Sequence, residues 1–312
     1  MNTYKYSETF FSPQGEGTYT GVSTLWIRFF LCNLQCDGFG QDDPTNPDTW
    51  ELPYEKLDLT DITQVEDLPV FNKGCDSSYT WSKRYRHLMH DKTASEICDE
   101  LEALLPHGKF KNPETGQEVH MAFTGGEPML KQSQNAMVDI MREFERRGNR
   151  PNFVTVETNG TKPLEPRLRD YIVDYTNEEC VNPLEGCNQP GEWFWSISPK
   201  LWATAGEQPK KAIKPDVVRD YCAFSNRGHL KYVVNGSVES WQEVKDNTAR
   251  FRDAGATFPV WIMASGARKE ELVEEVESGV THEARIAVEA LQRGYNFTTR
   301  AHCHIFGNVI GT

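Results

Sequence analysis

The sequence predicts an α/β protein of parallel type, a partial or open (β/α) barrel with its site at the carboxyl ends of the strands. Two observations carry that reading. Short β-rich apolar runs alternate repeatedly with segments of helical period, and parallel strands with helical crossovers are the economical solution for that order. Polar motifs recur directly after the strands, at Cys32, Thr124, Thr158, Ser198 and from Ala264 onward, where parallel α/β architectures assemble their sites.

The elements follow in order. Residues 24–31 (TLWIRFFL) form the first clear strand. Residues 37–74 hold four prolines (Pro44, Pro47, Pro53, Pro69) and many acids with little periodicity, and read as an irregular insertion. Thr93-Ala-Ser-Glu96 is a capping box, followed by Ile97, Leu101, Leu104 and Leu105 at helical spacing, with Pro106 and Gly108 as the stop. A strand over 119–123 runs into the loop Thr124-Gly-Gly-Glu-Pro128. A helix over 133–147 presents Met137, Ile140, Met141 and Phe144 on one face and stops at Gly148. Further strands are expected at 153–157, 193–197, 229–234 and 258–263, with a helix around 238–251. A long charged helix over 268–293, with a solvated Lys-Glu face, and a last strand near 297–300 complete the pattern. Most of 162–222 reads as a second insertion around the strand at 193–197, so the expectation is one domain over 1–312 with insertions at 37–74 and 162–222.

Composition narrows the function classes. A chain of 312 residues suggests two domains by length alone, though α/β barrels use this length as one. It can bury a sizeable core without disulfides. The formal charge of −13 argues against broad binding to nucleic acid, because phosphate repels such a surface. There is no apolar run of membrane-spanning length and no secretory pattern at the start, so the expectation is a cytoplasmic protein with no membrane partner. In a reducing compartment the eight cysteines are not a disulfide framework. Cys98 reads as a packed thiol, and Cys180, Cys187, Cys222 and Cys303 as inert thiols, their spacing matching no auxiliary cluster.

Cys32-Asn-Leu-Gln-Cys36 places two thiols directly after a strand, and Cys75 supplies a third. Soft sulfur selects iron–sulfur or zinc. Three thiolates leave one corner of an iron–sulfur cluster open, whereas a closed zinc site wants a fourth ligand, for which His87 or His90 could serve.

Around these thiols the chain resembles the radical S-adenosylmethionine superfamily, and within it is similar to the 7-carboxy-7-deazaguanine synthases. The likeness rests on Phe11-Ser-Pro-Gln-Gly-Glu-Gly17 with Trp26-Ile-Arg28, on Cys32-Asn-Leu-Gln-Cys36, on Cys75-Asp-Ser-Ser-Tyr-Thr-Trp81, on Thr124-Gly-Gly-Glu-Pro128, and on Glu157-Thr-Asn-Gly160 and Ser198-Pro-Lys200, all in family order. There are three departures. Residues 37–74 separate Cys36 from Cys75 where the family has two residues, and the family spacing would put Phe39, which cannot bind iron, at the third ligand position. A loop that leaves and returns to one place restores the ligand at little extra closure entropy. Ser77 stands where the family has a magnesium-binding Thr, and keeps the hydroxyl. A later Gln-Pro-Met-Asp motif is only Trp261-Ile-Met-Ala264.

The resemblance implies an incomplete (β/α) barrel, a [4Fe–4S] cluster on Cys32, Cys36 and Cys75, S-adenosylmethionine as cofactor, and magnesium at Ser77. It implies conversion of 6-carboxy-5,6,7,8-tetrahydropterin to 7-carboxy-7-deazaguanine with loss of ammonia, in queuosine-type biosynthesis. Gly125 and Gly126 would admit the methionine end of the cofactor closely, and Glu127 would accept from its ammonium. Gly74, Asp76, Asn159, Ser198 and Lys200 would make further cofactor contacts. Gln14, Gly15 and Glu16 suit the donor-rich edge of a pterin, Arg28 its carboxylate, and Thr124 and His304 the rest of the substrate. Trp193 and Trp195 read as core, and Tyr79 and Trp81 as lining of the cluster loop. The implied partners are the pterin, an electron donor such as flavodoxin and a second copy in a homodimer. Two other readings stay open: an activase that installs a glycyl radical on a partner enzyme, and a zinc-stabilised binding module without catalysis.

Overall fold

A computed structural model describes residues 2–177, 190–277 and 279–311. Its centre is one nine-stranded sheet. The chain opens with β1 (Thr3–Pro13), which turns back as β2 (Ser23–Phe29) in an antiparallel pair. A short β3 (His90–Thr93) pairs with the outer edge of β1 and leads into α1 (Ala94–Leu104). Then come β4 (His120–Gly125), α2 (Lys131–Arg146), β5 (Phe153–Thr158), α3 (Pro166–Thr176) and β6 (Glu192–Ile197). The second half continues with α4 (Pro215–Phe224), β7 (Gly228–Val234), α5 (Val238–Asp253), β8 (Val260–Ala264), α6 (His282–Gln292), β9 (Asn296–Phe297) and α7 (Ala301–Phe306).

The order across the sheet is β3-β1-β2-β4-β5-β6-β7-β8-β9, and every pairing from β2 to β9 is parallel. Each parallel strand lies beside its predecessor, so the crossovers all step in one direction and never reverse as in a doubly wound sheet. Such a singly wound sheet curls into an incomplete barrel, here with the β1–β3 ribbon at one edge.

Side-chain alternation decides what each face does. Leu25, Ile27 and Phe29 of β2, Met121 and Phe123 of β4, Val154 and Val156 of β5, Trp193, Trp195 and Ile197 of β6, and Leu230, Tyr232 and Val234 of β7 all face the helices in one continuous core. Trp193 and Trp195 are fully buried there, and removal from water alone contributes about 3 kcal/mol for such a side chain. The intervening positions point into the barrel and include polar and charged residues beside apolar ones such as Trp26: Arg28, Thr124, Glu157, Ser198 and Lys231 all line its cavity.

Local signals set the helices. Thr93 Oγ1 accepts from the Glu96 N–H while Glu96 Oε2 accepts from the Thr93 N–H, closing the capping box of α1. α2 buries Met137, Ile140, Met141 and Phe144, and Arg147 beyond it ties Glu143, Glu102 and Asp99 together.

Several expectations are corrected. The long helix over 268–293 is instead a turn at Lys269–Leu272, a hairpin of Glu275–Glu277 with Val280–Thr281, and then α6. Gly279 and the Thr281 cap, whose Oγ1 accepts from the Ala284 N–H, break the helical run. Residues 162–222 are not simply an excursion from the fold. They include α3, β6 and α4, which are part of the repeating strand–helix frame. Their few apolar residues suffice because each helix buries only a narrow stripe, as with Leu168, Tyr171 and Ile172 of α3. Strand β1 went unread because its alternation is masked by aromatic residues on both faces.

Residues 37–74 do leave the sheet. The excursion is pinched at its base, where the Gly74 N–H donates to the Phe39 carbonyl at 2.7 Å. Its side chains build a separate core from Tyr54, Val65, Leu68 and Phe71 against Tyr79 and Tyr85.

Candidate functional site

One cavity of about 570 Å³ opens at the carboxyl ends of the strands, within the range of about 300–1,000 Å³ usual for small-molecule sites. Cys32, Cys36 and Cys75 all line it. They share one small apolar cluster with Leu34, Phe39, Ala205 and Ala212, so the pinch at Phe39 and Gly74 returns the third thiol to the first two. Burial pushes the Cys32 thiol up to about 12. It also raises Cys36 and Cys75, and at Cys36 the charges of Cys75 and Cys32 add to the effect. Thiolates converging in a dry pocket need a cationic centre to stay ionised, which is what a thiolate-held metal group provides.

The donor set distinguishes two kinds of metal group. A single zinc ion draws its sulfur ligands to within ~4 Å of each other, given Zn–S of about 2.3 Å. Among the described residues no three Cys, His, Asp or Glu side chains are gathered around one such point. The fourth-ligand candidates lie elsewhere. His87 is exposed, bonded to the Arg84 and Ile62 carbonyls, and His90 packs on Tyr6. Cys32, Cys36 and Cys75 are the soft donors that meet in this cavity, and soft sulfur is the donor type that iron–sulfur groups take.

The loop after β4 lies against the thiol loop. The Gly126 N–H donates to the Phe29 carbonyl and the Glu127 N–H to the Leu31 carbonyl. A Cβ at Gly126 would stand 2.3 Å from the Leu31 oxygen and 2.9 Å from Cys32 Cβ, so only glycine permits this approach. Ser198 and Lys200 face the cavity together. Lys200 Nζ donates to Ser198 Oγ at 3.0 Å and lies 5.7 Å from the centre of the Phe39 ring. Asn159 also lines the cavity, its Nδ2 donating to Asn33 Oδ1.

Glu127 does not face the cavity. It is fully buried, and its oxygens accept from Met129 N–H, Thr158 Oγ1 and Asn159 N–H. Its carboxyl ties the ends of β4 and β5, so the expected contact with a cofactor ammonium is replaced by a loop-fixing role. Gly125 and Gly126 keep their places on the cavity wall.

A row of alternating charges runs along the opposite wall. Beside Cys75, Asp76 Oδ2 accepts from Arg300 Nη2 at 2.9 Å. Arg300 Nε donates to Glu16 Oε1 at 3.1 Å, and Lys231 Nζ reaches Glu16 Oε2 at 2.5 Å and Glu157 Oε2 at 3.3 Å. Gln14 Nε2 closes the row on Glu157 Oε1. Burial opposes a charge at Glu16, yet Lys231, Arg300 and His302 together hold its carboxyl well below the usual range. Arg28 stands apart. Its Nε donates to Glu8 Oε1 at 2.6 Å, and Tyr79 Oη donates to the same oxygen at 2.7 Å. Thr124, Gly15 and Ser77 complete the wall, with Ser77 Oγ donating to Asp76 Oδ1 at 3.2 Å. A hydroxyl beside a carboxylate offers hard oxygen donors of the kind magnesium takes, with water and substrate oxygens filling the remaining positions.

His304 is a second correction. It points away to Glu283 Oε2 at 2.9 Å and does not line the cavity. Two residues earlier, His302 does, packed so closely on Gly15 that a Cβ there would meet its Nδ1 at 2.0 Å. Burial and the Arg300 charge push His302 down to about 4, so it is neutral near pH 7. Sequence reasoning also missed Glu8, Lys231 and Arg300, and gave Glu157 no role beyond its place in the motif Glu157-Thr-Asn-Gly160. A signal was available in the chain: a charge inside a β-rich run is costly unless paired.

Outside the site, Cys98 and Cys303 are fully buried and Cys222 packs against the core, while Cys180 and Cys187 lie outside the described residues. Among the described residues no helix is long and apolar enough to cross a membrane.

No protein-family model matches the chain. It is 25% identical over 319 aligned positions to a 7-carboxy-7-deazaguanine synthase of Rhodopirellula baltica, covering 98% of this chain and 88% of that protein. Enzymes of the same name from Koribacter versatilis and Methanopyrus kandleri are 27% and 26% identical, over 58% and 60% of this chain and 54% and 60% of their own lengths. A crystal structure of QueE from Escherichia coli aligns over 96% of this chain and 95% of that one, at 16% identity and a TM-score of 0.47. The similarity that the motifs express thus extends over nearly the whole chain, which is similar in sequence to the 7-carboxy-7-deazaguanine synthases.

Proposed function

We propose that this chain is a radical S-adenosylmethionine lyase that converts 6-carboxy-5,6,7,8-tetrahydropterin to 7-carboxy-7-deazaguanine with loss of ammonia. The observation that carries the reading is the meeting, in one cavity, of three thiols, a glycine loop against them and a polar wall of Gln14, Glu16, Arg28 and Lys231. Cys32, Cys36 and Cys75 would hold a [4Fe–4S] cluster. When bound, that group supplies the electron that cleaves S-adenosylmethionine to methionine and the 5′-deoxyadenosyl radical, which abstracts a substrate hydrogen.

The chain's own residues orient and shield. The backbone at Gly125 and Gly126 gives the methionine end room and carbonyl acceptors, and Asn159, Ser198 and Lys200 meet the rest of the cofactor. Arg28, with Nε fixed by Glu8, turns its outer nitrogens to the substrate carboxylate for a bidentate pair. Ser77 would offer its hydroxyl to a magnesium ion shared with that carboxylate. Glu16, already neutralised by Lys231 and Arg300, accepts from the N–H-rich edge of the pterin without bringing net charge into a dry site. Neutral His302 can donate or accept at the same edge. Fixing both ring systems side by side in one cavity keeps the radical from the wrong hydrogen.

An electron donor such as flavodoxin and a homodimer complete the reading. The test is anaerobic incubation of reconstituted protein with dithionite, S-adenosylmethionine and the carboxytetrahydropterin. Deoxyadenosine together with the deazaguanine acid is expected, and deoxyadenosine without it would refute the substrate.

A further inference from the structure

The cysteine loop is gripped from outside the cavity by a carboxylate that none of the motifs contains. Glu207 follows the short helix Trp202–Ala205 and is buried. Its Oε1 accepts from the Gln35 N–H at 2.7 Å and from the Cys36 N–H at 2.9 Å. Its Oε2 pairs with half-exposed Lys211, one turn further on, at 3.2 Å. The same segment also holds the loop by the Gly38 N–H donating to the Ala205 carbonyl, while Ala205 and Ala212 pack beside Cys36. The loop needs such anchoring: Cys36 sits at φ 57°, in the left-handed region that residues with a Cβ seldom adopt.

We propose that Glu207 is a positioning residue for the cluster site that also sets its reduction potential, its carboxylate fixing the Cys32–Cys36 loop while its charge favours the oxidised state. The proposal rests on the cluster reading above. Groups that bond a ligand's backbone orient the ligand and tune the metal group it holds, and nearby charge is one of the levers on iron–sulfur potentials. A negative charge bonded to the N–H of a ligating cysteine opposes the arrival of an electron, and in a buried site the opposition is weakly screened. Lys211 carries the opposite charge on the outer side of the same carboxylate and offsets part of the effect. The pair therefore makes two predictions of opposite sign from one geometry.

The experiment is a redox titration, followed by the electron paramagnetic resonance of the reduced cluster, on full-length protein reconstituted anaerobically, with iron and sulfide counted in each sample. Glu207→Gln keeps the shape and an acceptor oxygen but removes the charge. It should load iron as wild type does and shift the midpoint potential upward. Lys211→Gln alters only a half-exposed side chain. It should load normally and shift the potential downward, so the proposal stays testable even if the Glu207 variant folds poorly. Glu207→Ala removes both effects and should lower iron content as well. Wild-type potentials in both charge variants at wild-type iron content would overturn the proposal and leave the functional reading intact. A wild-type protein that assembles no cluster would overturn both.

Discussion

Replacing Lys231 by Met tests the charged wall most directly. Lys231 is almost wholly buried, and its ammonium lies between Glu16 and Glu157. Methionine fills similar volume without charge, so packing is largely kept. What is lost is the partner of two buried carboxylates, and breaking a buried pair from one side costs about 3–5 kcal/mol. For a chain of this length the unfolding entropy is about 0.7 kcal/mol per kelvin, taking roughly 2.1 cal/mol/K per residue. The melting temperature should therefore fall by about 4–7 °C near pH 7. The pH dependence carries the sharper signature. In the wild type, Glu16 is held below its usual value, so its contribution to stability is present above the unfolded pKa and is lost as pH falls. Without Lys231, burial loses its main opponent and the Glu16 carboxyl moves up. The variant should then lose less stability than the wild type as pH falls from about 5 toward 3, through and below the unfolded pKa. Calorimetry of the cluster-free protein at about pH 5, 4 and 3 measures this. A loss below about 1 kcal/mol with parallel pH profiles would show that the row of charges is no more than a solvated ion pair.

Three further outcomes follow from the same geometry. Cys75→Ala should abolish both normal iron loading and S-adenosylmethionine cleavage, and full turnover in that variant would remove Cys75 from the ligand set. His302→Ala should reduce kcat/KM at least tenfold while His304→Ala leaves it within twofold, because only His302 reaches the cavity; the reverse order in steady-state assays would restore the sequence expectation. Burial, with the nearby Lys231 charge adding to it, pushes His229 down to about 3. From pH 6.5 downward the unfolded chain takes up a proton that the fold excludes, so the His229 contribution to stability should fall by about 1.6 kcal/mol between pH 6.5 and 5; urea titrations of His229→Gln should show a shallower fall, and an unchanged slope would count against it.

The frame was legible because strand and helix periods differ. Runs such as 153–157 and 193–197 carry enough β-branched and aromatic residues to declare themselves, and the capping box at Thr93 and the stop at Gly148 mark helix ends through local bonds. The helix expected at 268–293 failed because its charged residues fit an exposed helix and an exposed hairpin equally well, and the positive φ at Gly279 and the Thr281 cap break the run. Site residues that belong to contiguous motifs, from Gln14 to Lys200, were read from the chain. Lys231, Arg300 and Glu207 were not, since each acts only through partners far away in sequence: Arg300 lies 224 positions from Asp76 and Glu207 lies 171 from Cys36. Glu127 and His304 show the converse. Each has the right residue type beside the right motif, but an orientation that only tertiary packing decides.

The excursion at 37–74 shows why spacing is a weaker guide to a metal site than return geometry. Closing a loop costs free energy that grows only with the logarithm of its length, about 0.6 kcal/mol for each doubling, so a long loop can replace a short one if its ends are fixed. Here a single backbone bond between Gly74 and Phe39 fixes them. Inside the loop, Tyr54 donates to Asp37 Oδ1 and Gln41 Nε2 donates to the Asp37 and Glu51 carbonyls, while the Tyr54, Leu68 and Phe71 core offsets the ordering cost. Once it folds on its own core, the loop can also supply cavity wall, as Gln41, Val70 and Asn72 do. A shorter connection between Cys36 and Cys75 would bring the thiols together equally well but would leave that side of the cavity open to water. The excursion is therefore better understood as part of the site's enclosure than as a detour around it.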